Sequence, residues 1–307
     1  MNAARIIFGC GYLGRRVGNL WCDCGDHTIA VSRQQPRGPD AAPPGLARMH
    51  PALGDVTRAD SLRFPLAVEG LPLEAMLYAV GYDRTAAPDI HAVYAGGLRN
   101  VLAALPRSVT RVIYISTTGV YGAAGGEWVD EQTPPAPLRD GGIASLAAEQ
   151  ILAAHPLGRR SAVLRLAGIY GPGRVPHLDK LRTGEPLPVP HDGWLNLIHV
   201  DDAARVVVAA EQWLAAQQRA DGPHLFCVSD GAPVSRAEYY REAARLVGAP
   251  PPRFVDPPAG SPAAARAAAN RRVSNAKMVH LLGDRLGAGL AYPSYREGLA
   301  SILQSEA

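Results

Sequence analysis

Apolar residues fall along this chain in short runs, separated by glycines, prolines and stretches with helical spacing. The first run, Arg5-Ile6-Ile7-Phe8, predicts a strand. It breaks into Gly9-Cys10-Gly11-Tyr12-Leu13-Gly14 and then into a predicted helix over 15–21. A second strand is predicted over 28–31, followed by a loop rich in Pro and Gly over 35–45. Further strand-like runs lie at 75–80, 111–116 and 162–166, while 91–105 and 143–154 carry apolar residues at three-and-four spacing and predict helices. Strands alternating with helices predict an α/β fold with a doubly wound parallel sheet. Beyond Gly171-Pro172-Gly173 the pattern loosens, with proline-rich stretches at 185–190 and 249–253 and single helices expected over 235–247 and 274–282. The alanine-rich stretch 263–269 fits either helix or linker. This organisation predicts a sheet domain over 1–170, to which 195–230 return, and a smaller, discontinuous lobe from 171–194 and 231–307.

Composition narrows the function classes. The chain has 307 residues, 47% hydrophobic and 19% charged, a balance that supports a folded core and excludes disorder driven by charge. Its net charge is +3 with no block of five like charges, so no nucleic-acid partner is expected. Arg5 is followed by only three apolar residues before Gly9, unlike a secretory leader, and no apolar run approaches the roughly 18 residues that span a bilayer. A cytoplasmic protein without membrane contact is expected. Four cysteines (Cys10, Cys22, Cys24, Cys227) without a CxxC pair fit reduced thiols, and no metal site is expected.

A Gly-x-Gly-x-x-Gly turn that follows a strand and opens a helix has a mechanism. Its glycines let backbone approach a pyrophosphate at the positive helix end, the arrangement of a Rossmann-type dinucleotide site. Gly9, Gly11, Tyr12, Leu13 and Gly14 are therefore expected at the cofactor. An acidic residue at the end of the second strand would accept the ribose 2′-hydroxyl, but here that strand ends in Val31-Ser32-Arg33 and no carboxylate follows before Asp40. Ser32, Arg33 and Arg37 instead suit a 2′-phosphate, so NADP(H) is expected in preference to NAD(H).

Five patches in order resemble the extended short-chain dehydrogenase/reductases, the NAD-dependent epimerase/dehydratase family. They are the glycine turn; Gly54-Asp55-Val56; Ile115-Ser116-Thr117-Thr118-Gly119-Val120-Tyr121-Gly122; Leu164-Arg165-Leu166-Ala167-Gly168-Ile169-Tyr170-Gly171-Pro172-Gly173; and Ile198-His199-Val200-Asp201-Asp202-Ala203-Ala204. The resemblance implies that Asp55 and Val56 meet the adenine and that Ala79, Val80 and Gly81 pass under the cofactor. It also implies that Ser116, Leu166, Ala167 and Gly168 lie against it. Family chemistry pairs a Ser or Thr with a Tyr and a Lys four residues later. Thr117 takes the first position, but the other two fall on Gly141 and Ser145, which resembles the atypical extended subgroup lacking the Tyr-Lys pair. His199 is expected to act structurally.

Without a phenol at 141 another acid is needed near the nicotinamide, and Tyr82, just after a predicted strand, is the candidate proton donor beside Thr117. Tyr121, Arg174, His177, Lys180, Trp194 and Asn196 are the expected substrate contacts. Arg174, His177, Lys180 and Arg182 are spaced to share a helix face that suits an anion. The sequence thus predicts an NADP(H)-dependent oxidoreductase or epimerase acting on a carbonyl or alcohol centre of a small molecule. The competing reading is a sensor or scaffold that keeps the dinucleotide and has lost the chemistry. By the same resemblance a homodimer is expected, paired through the helices at 91–105 and 141–154.

Overall fold

The computed structural model describes residues 3–33, 48–65, 67–83, 89–219, 221–261, 264–265 and 268–304. Arg37 and residues 263, 266 and 267 of the alanine-rich stretch 263–269 lie outside them. Seven parallel strands form the central sheet: β1 (Ala4–Phe8), β2 (His27–Ser32), β3 (His50–Leu53), β4 (Leu71–Tyr78), β5 (Arg111–Thr117), β6 (Ser161–Leu166) and β7 (His224–Val228). Their order is β3-β2-β1-β4-β5-β6-β7, and the two-residue strand Ala67–Val68 adds an antiparallel hairpin to β4. The chain leaves β1 for β2 on one side and later enters β4 on the other, so the crevice of a doubly wound sheet opens at the carboxyl end of β1.

The sheet is covered on both faces, which explains why its strands read as continuous apolar runs rather than alternating ones. Along β1, Ala4, Ile6 and Phe8 enter one core with Met76, Tyr78, Val112 and Tyr114. Helices α2 (Gly97–Ala104) and α3 (Asp140–Ala154) cover this face through Leu98, Val101, Ala148 and Leu152. Ile7 faces the other core, where α1 (Gly14–Asp23) contributes Val17 and Trp21. A third core joins the short helix α4 (Leu178–Thr183) to residues further along the chain. The 17-residue α5 (Val200–Ala216) packs on the α1 face, and α6 (Arg236–Leu246) belongs to the third core with α8 (Tyr295–Gln304). Between the last two, α7 (Ala276–Leu286) packs Met278, Leu282 and Leu286 against the α1 and α5 side of the sheet rather than into the third core.

Two sheet strands are absent from the sequence expectation. β3 is a four-residue edge strand with an internal proline and an exposed pattern, so it carries no apolar signal. β7 is a five-residue strand whose two leading residues are only partly buried. The helix predicted over 91–105 begins with a π-helical turn, Ala92–Gly96, before α2. Such turns are rare and concentrate at functional sites. Among the described residues no helix is long and apolar enough to cross a membrane.

Candidate functional site

The glycine turn after β1 divides its glycines between two tasks. Gly9 has φ +95, and a Cβ there would stand 2.5 Å from the carbonyl carbon and oxygen of Ala79. Only glycine lets this turn lie against the end of β4, where Ala79 N donates to Phe8 O at 2.8 Å. A Cβ at Gly14 would collide with Gly9 O, so that glycine seats the first turn of α1 beneath the loop. Gly11 and Gly81 differ: a Cβ on either meets nothing within 4 Å. They border open space at the N-terminus of α1, an end with no side-chain cap and no acidic residue in its first turn. Unpaired amides and the positive end of the helix dipole face that space, which is the donor set a pyrophosphate requires.

On one side of the turn a cavity of about 500 Å³ reaches the ends of β2 and β3, lined by Ser32, Arg33, Asp55, Val56 and Val80 among others. Asp55 Oδ1 accepts from Thr57 N (2.9 Å) and Thr57 Oγ1 (2.7 Å), which fixes the carboxylate at the cavity wall. Asp83 also lines this cavity, its carboxylate 3.7 Å from the Arg33 guanidinium with both side chains about half exposed. A carboxylate thus does stand beside the end of β2, delivered by the segment after β4. Cys10 borders the same cavity, and burial pushes its thiol up to about 12, so it stays protonated.

On the other side a larger cavity of about 1030 Å³ shares Gly9, Gly11, Val80 and Gly81 with the first. Tyr12, Leu13, Ala79, Tyr82, Ser116, Thr117 and Arg174 all line it, as do Gly141 and Ser145. Thr117 Oγ1 accepts from Gly119 N at 3.0 Å. That bond fixes the hydroxyl at the cavity wall and leaves its proton to donate inward. Ser145 is almost fully buried and hydrogen-bonds the Tyr114 phenol, whose burial drives its pKa upward and keeps it neutral. Five further polar side chains line this cavity that the sequence did not single out: Asp89, His91, Tyr94, Arg139 and Asp140. Arg139 Nη2 lies 3.6 Å from where a Cβ on Gly119 would stand, which brings a guanidinium to the turn that holds Thr117. Asp89 is engaged in accepting from His91 N (2.7 Å) and Ala92 N (3.0 Å), and these bonds hold its carboxyl below the usual range.

A sequence profile of the NAD dependent epimerase/dehydratase family matches residues 6–222, from the first strand almost to the seventh. The chain belongs to this family. It is 36% identical over 151 residues to protein YeeZ of Escherichia coli (strain K12), a match covering 49% of this chain and 51% of that protein, so the aligned region spans about half of YeeZ. It is 27% identical over 280 residues to short-chain dehydrogenase/reductase family 42E member 1 of Macaca fascicularis, covering 79% of this chain and 67% of the relative. A conserved protein of unknown function from Silicibacter pomeroyi DSS superposes with a TM-score of 0.75 at 31% identity, over 100% of this chain and 99% of the other.

In this epimerase/dehydratase family member several residues expected at the ligands lie away from both cavities. Tyr121, expected at the substrate, is buried: its hydroxyl donates to Asp130 O (2.6 Å), accepts from Arg165 Nη1 (2.8 Å) and meets Cys227 Sγ at 3.1 Å. Arg165 pairs with Glu149 through Nε–Oε1 (3.0 Å) and Nη2–Oε2 (2.7 Å), and Ser116 Oγ donates to the same carboxylate at 2.5 Å. Ser116 therefore lines the cavity while its hydroxyl proton is turned away from it.

His177 sits at φ +59 ahead of α4 and packs edge-on against Tyr240, and Lys180 pairs with Glu185 at the surface. The helix begins only at Leu178, so Arg174 shares no helix face with them, and it alone of this expected cluster lines the cleft. Trp194 lies under Arg272, whose guanidinium carbon is 5.3 Å from the ring centroid. Asn196 donates to Arg271 O (2.9 Å) and accepts from Val273 N (2.7 Å), which turns its amide toward that strand. Leu166 and Ala167 are buried at the end of β6, and Gly168 pairs with Leu197 in a small parallel ribbon. His199 stands at the N-cap of α5. Its Nδ1 accepts from Asp201 N (3.3 Å), its ring centroid lies 3.9 Å from that of Tyr292 with the planes tilted by 42°, and burial lowers its pKa.

Proposed function

We propose that this protein is a cytoplasmic NADP(H)-dependent oxidoreductase or epimerase that acts on a carbonyl or alcohol centre of a small, anionic molecule. The observation that carries this reading is a single continuous cleft. Open backbone at Gly11 and Gly81 for a pyrophosphate leads into a chamber walled by Thr117, Tyr82, Arg139 and Arg174. A dinucleotide bound along it supplies or accepts hydride at its nicotinamide ring. In the reducing direction the Tyr82 hydroxyl gives its proton to the substrate carbonyl oxygen. Thr117 donates a hydrogen bond to that oxygen and holds it in line. Arg139 and Arg174 bring two positive charges to the chamber, which favours an anionic substrate. Asp89 and Asp140 line the same chamber and offset part of that charge.

NADP(H) preference rests on Ser32 and Arg33 at the adenosine cavity and on the lack of a carboxylate within β2 itself. Arg33 exchanges its contact with Asp83 for the 2′-phosphate. Fluorescence titration with NADPH and NADH tests the preference, and tighter NADH binding would overturn it. Tyr82→Phe should abolish turnover while sparing cofactor affinity; unchanged turnover removes Tyr82 from the mechanism. Gly141 and Ser145 favour a second reading, a dinucleotide-binding sensor or scaffold without catalysis. Loss of NADPH absorbance that depends on an added carbonyl compound would decide for the enzyme. We further propose a homodimer paired through α2 and α3, on whose surface Ile143 is 42% exposed; a monomer mass by light scattering would refute it.

A further inference from the structure

The amino ends of the strands, opposite the cleft, carry a group of side chains that the proposed function does not use. His27 opens β2, His50 opens β3, and Glu69 sits in the two-residue turn between Val68 and Leu71 that joins the short antiparallel strand to β4. One ligating atom from each lies within 4.8 Å of the other two, and His27 Nε2 stands 3.7 Å from Glu69 Oε2. The sheet register explains the convergence. His50 is paired with Ile29, so His27, two residues earlier on β2, projects from the same face. Ile29 enters the core that also buries Val68, and the hairpin therefore delivers Glu69 to the rim of that layer, over both imidazoles.

The turn adds an independent indication. Glu69 has φ +49 and Gly70 has φ +81, the pair of left-handed residues that a two-residue hairpin turn of type I′ demands. Asn or Gly suits the first of these positions, and a glutamate there is held in a conformation its backbone disfavours. The side chain that gains from this placement is a carboxylate aimed at two histidines.

We propose that His27, His50 and Glu69 form a site for a divalent transition-metal ion, Zn²⁺ in the first instance, that clips the 67–72 hairpin onto the edge of the sheet. Two imidazoles and one carboxylate suit Zn²⁺ and its neighbours rather than Mg²⁺ or Ca²⁺, and water completes a tetrahedron. With bonds of 2.0–2.1 Å the edge of such a tetrahedron is about 3.3 Å, close to the 3.7 Å already separating His27 from Glu69. The site is remote from the carboxyl ends of the strands, so its role is structural and its occupancy leaves dinucleotide binding unchanged. It stands or falls independently of the proposed function.

The test is calorimetric titration of the metal-stripped full chain with ZnCl₂, together with thermal unfolding with and without the ion. Wild type should bind one equivalent and unfold at higher temperature with zinc. His50→Ala and Glu69→Asn should each weaken binding at least tenfold and abolish the zinc-dependent rise. Glu69→Asn suits the left-handed turn, so it should unfold no earlier than wild type without metal, which separates loss of a ligand from loss of the fold. No binding by wild type, or wild-type affinity in either variant, overturns the proposal. So does loss of binding on Cys22→Ser/Cys24→Ser with the histidines intact, because the ion would then sit at the thiols.

Discussion

Substituting alanine at Gly9 and at Gly11 separates folding from binding within one turn. At Gly9 the new methyl would be forced to 2.5 Å from the Ala79 carbonyl, against backbone that cannot rotate away, and the residue would have to hold φ +95. The left-handed backbone costs about 1–2 kcal/mol and the overlap about 1–3 kcal/mol. A loss of roughly 2–5 kcal/mol is a large part of the about 5–15 kcal/mol that stabilises a typical domain. At Gly11 the methyl meets no atom within 4 Å, so stability should change by no more than about 0.5 kcal/mol. That methyl instead enters the open space where the proposed function seats a pyrophosphate. Displacing the ligand from one charge-assisted backbone hydrogen bond removes about 1.5–3 kcal/mol, or roughly 10- to 150-fold in affinity. Urea unfolding and NADPH fluorescence titration on the two variants measure both quantities. Wild-type affinity in Gly11→Ala, or wild-type stability in Gly9→Ala, would refute this division of roles.

Asp230 is buried, with one carboxylate oxygen bonded to Ala232 N (3.0 Å) and the other unpartnered, and burial, reinforced by Glu297 and Asp202, pushes its pKa up to about 7. Its native pKa exceeds the ordinary 3.8, so the native state binds the extra proton and stability falls as pH rises through about 4 to 7, by at most about 4 kcal/mol. Asp230→Asn still buries an unpaired amide, which takes back about 1–3 kcal/mol; it should stabilise by about 1–3 kcal/mol at pH 8 and give no gain at pH 4 in thermal melts, and an equal effect at both pH values would contradict the assignment. Arg165→Met strands the buried Glu149 carboxylate and should cost about 3–5 kcal/mol, whereas Arg165→Met with Glu149→Leu should recover much of it; urea unfolding of both variants checks this, and an equal loss in the two would refute it. Asp83→Asn releases Arg33 from a half-exposed ion pair of the kind worth about 0.2–1 kcal/mol, so NADPH should gain on NADH by up to about five-fold in paired titrations; no change would detach Asp83 from cofactor choice.

The parts of the site legible in the sequence are those held by backbone. Gly9, Gly11 and Gly14 follow a strand and open a helix, and that local order alone places them at the cleft. Thr117 and the 79–81 segment are legible only through the family resemblance, which places both at the carboxyl ends of strands. Where the environment is made by segments distant in sequence, the reading fails. Inspecting only the residues after β2 finds no carboxylate beside Arg33, yet Asp83 arrives there from the end of β4. Arg174, His177, Lys180 and Arg182 have helical spacing, but the helix starts only at Leu178, behind a left-handed His177. Tyr121 carries a sequence signal that went unread: Arg165, a charge inside the apolar run of β6, requires buried partners, and the Tyr121 hydroxyl is one of them.

That network bears on chemistry. Its charged groups, Glu149 and Arg165, satisfy each other beneath the cavity floor, and Ser116 turns its proton toward them. Ser145 is committed to Tyr114, and Gly141 has no side chain. The floor where the Tyr-Lys pair would stand can therefore neither donate a proton nor carry a positive charge to the reacting oxygen. Groups that carry such a proton or charge stand on the walls, among them Tyr82 after β4, Tyr94 in the π-helical turn before α2, Arg139 at the start of α3 and Arg174. A guanidinium is a poor proton donor but stabilises negative charge. If reduction occurs here, Arg139 shares the oxyanion with Thr117 while the proton comes from Tyr82. Arg139→Lys should then retain part of the turnover, Arg139→Met should lose nearly all of it, and NADPH affinity should change in neither. Equal turnover in the two variants would place the positive charge elsewhere.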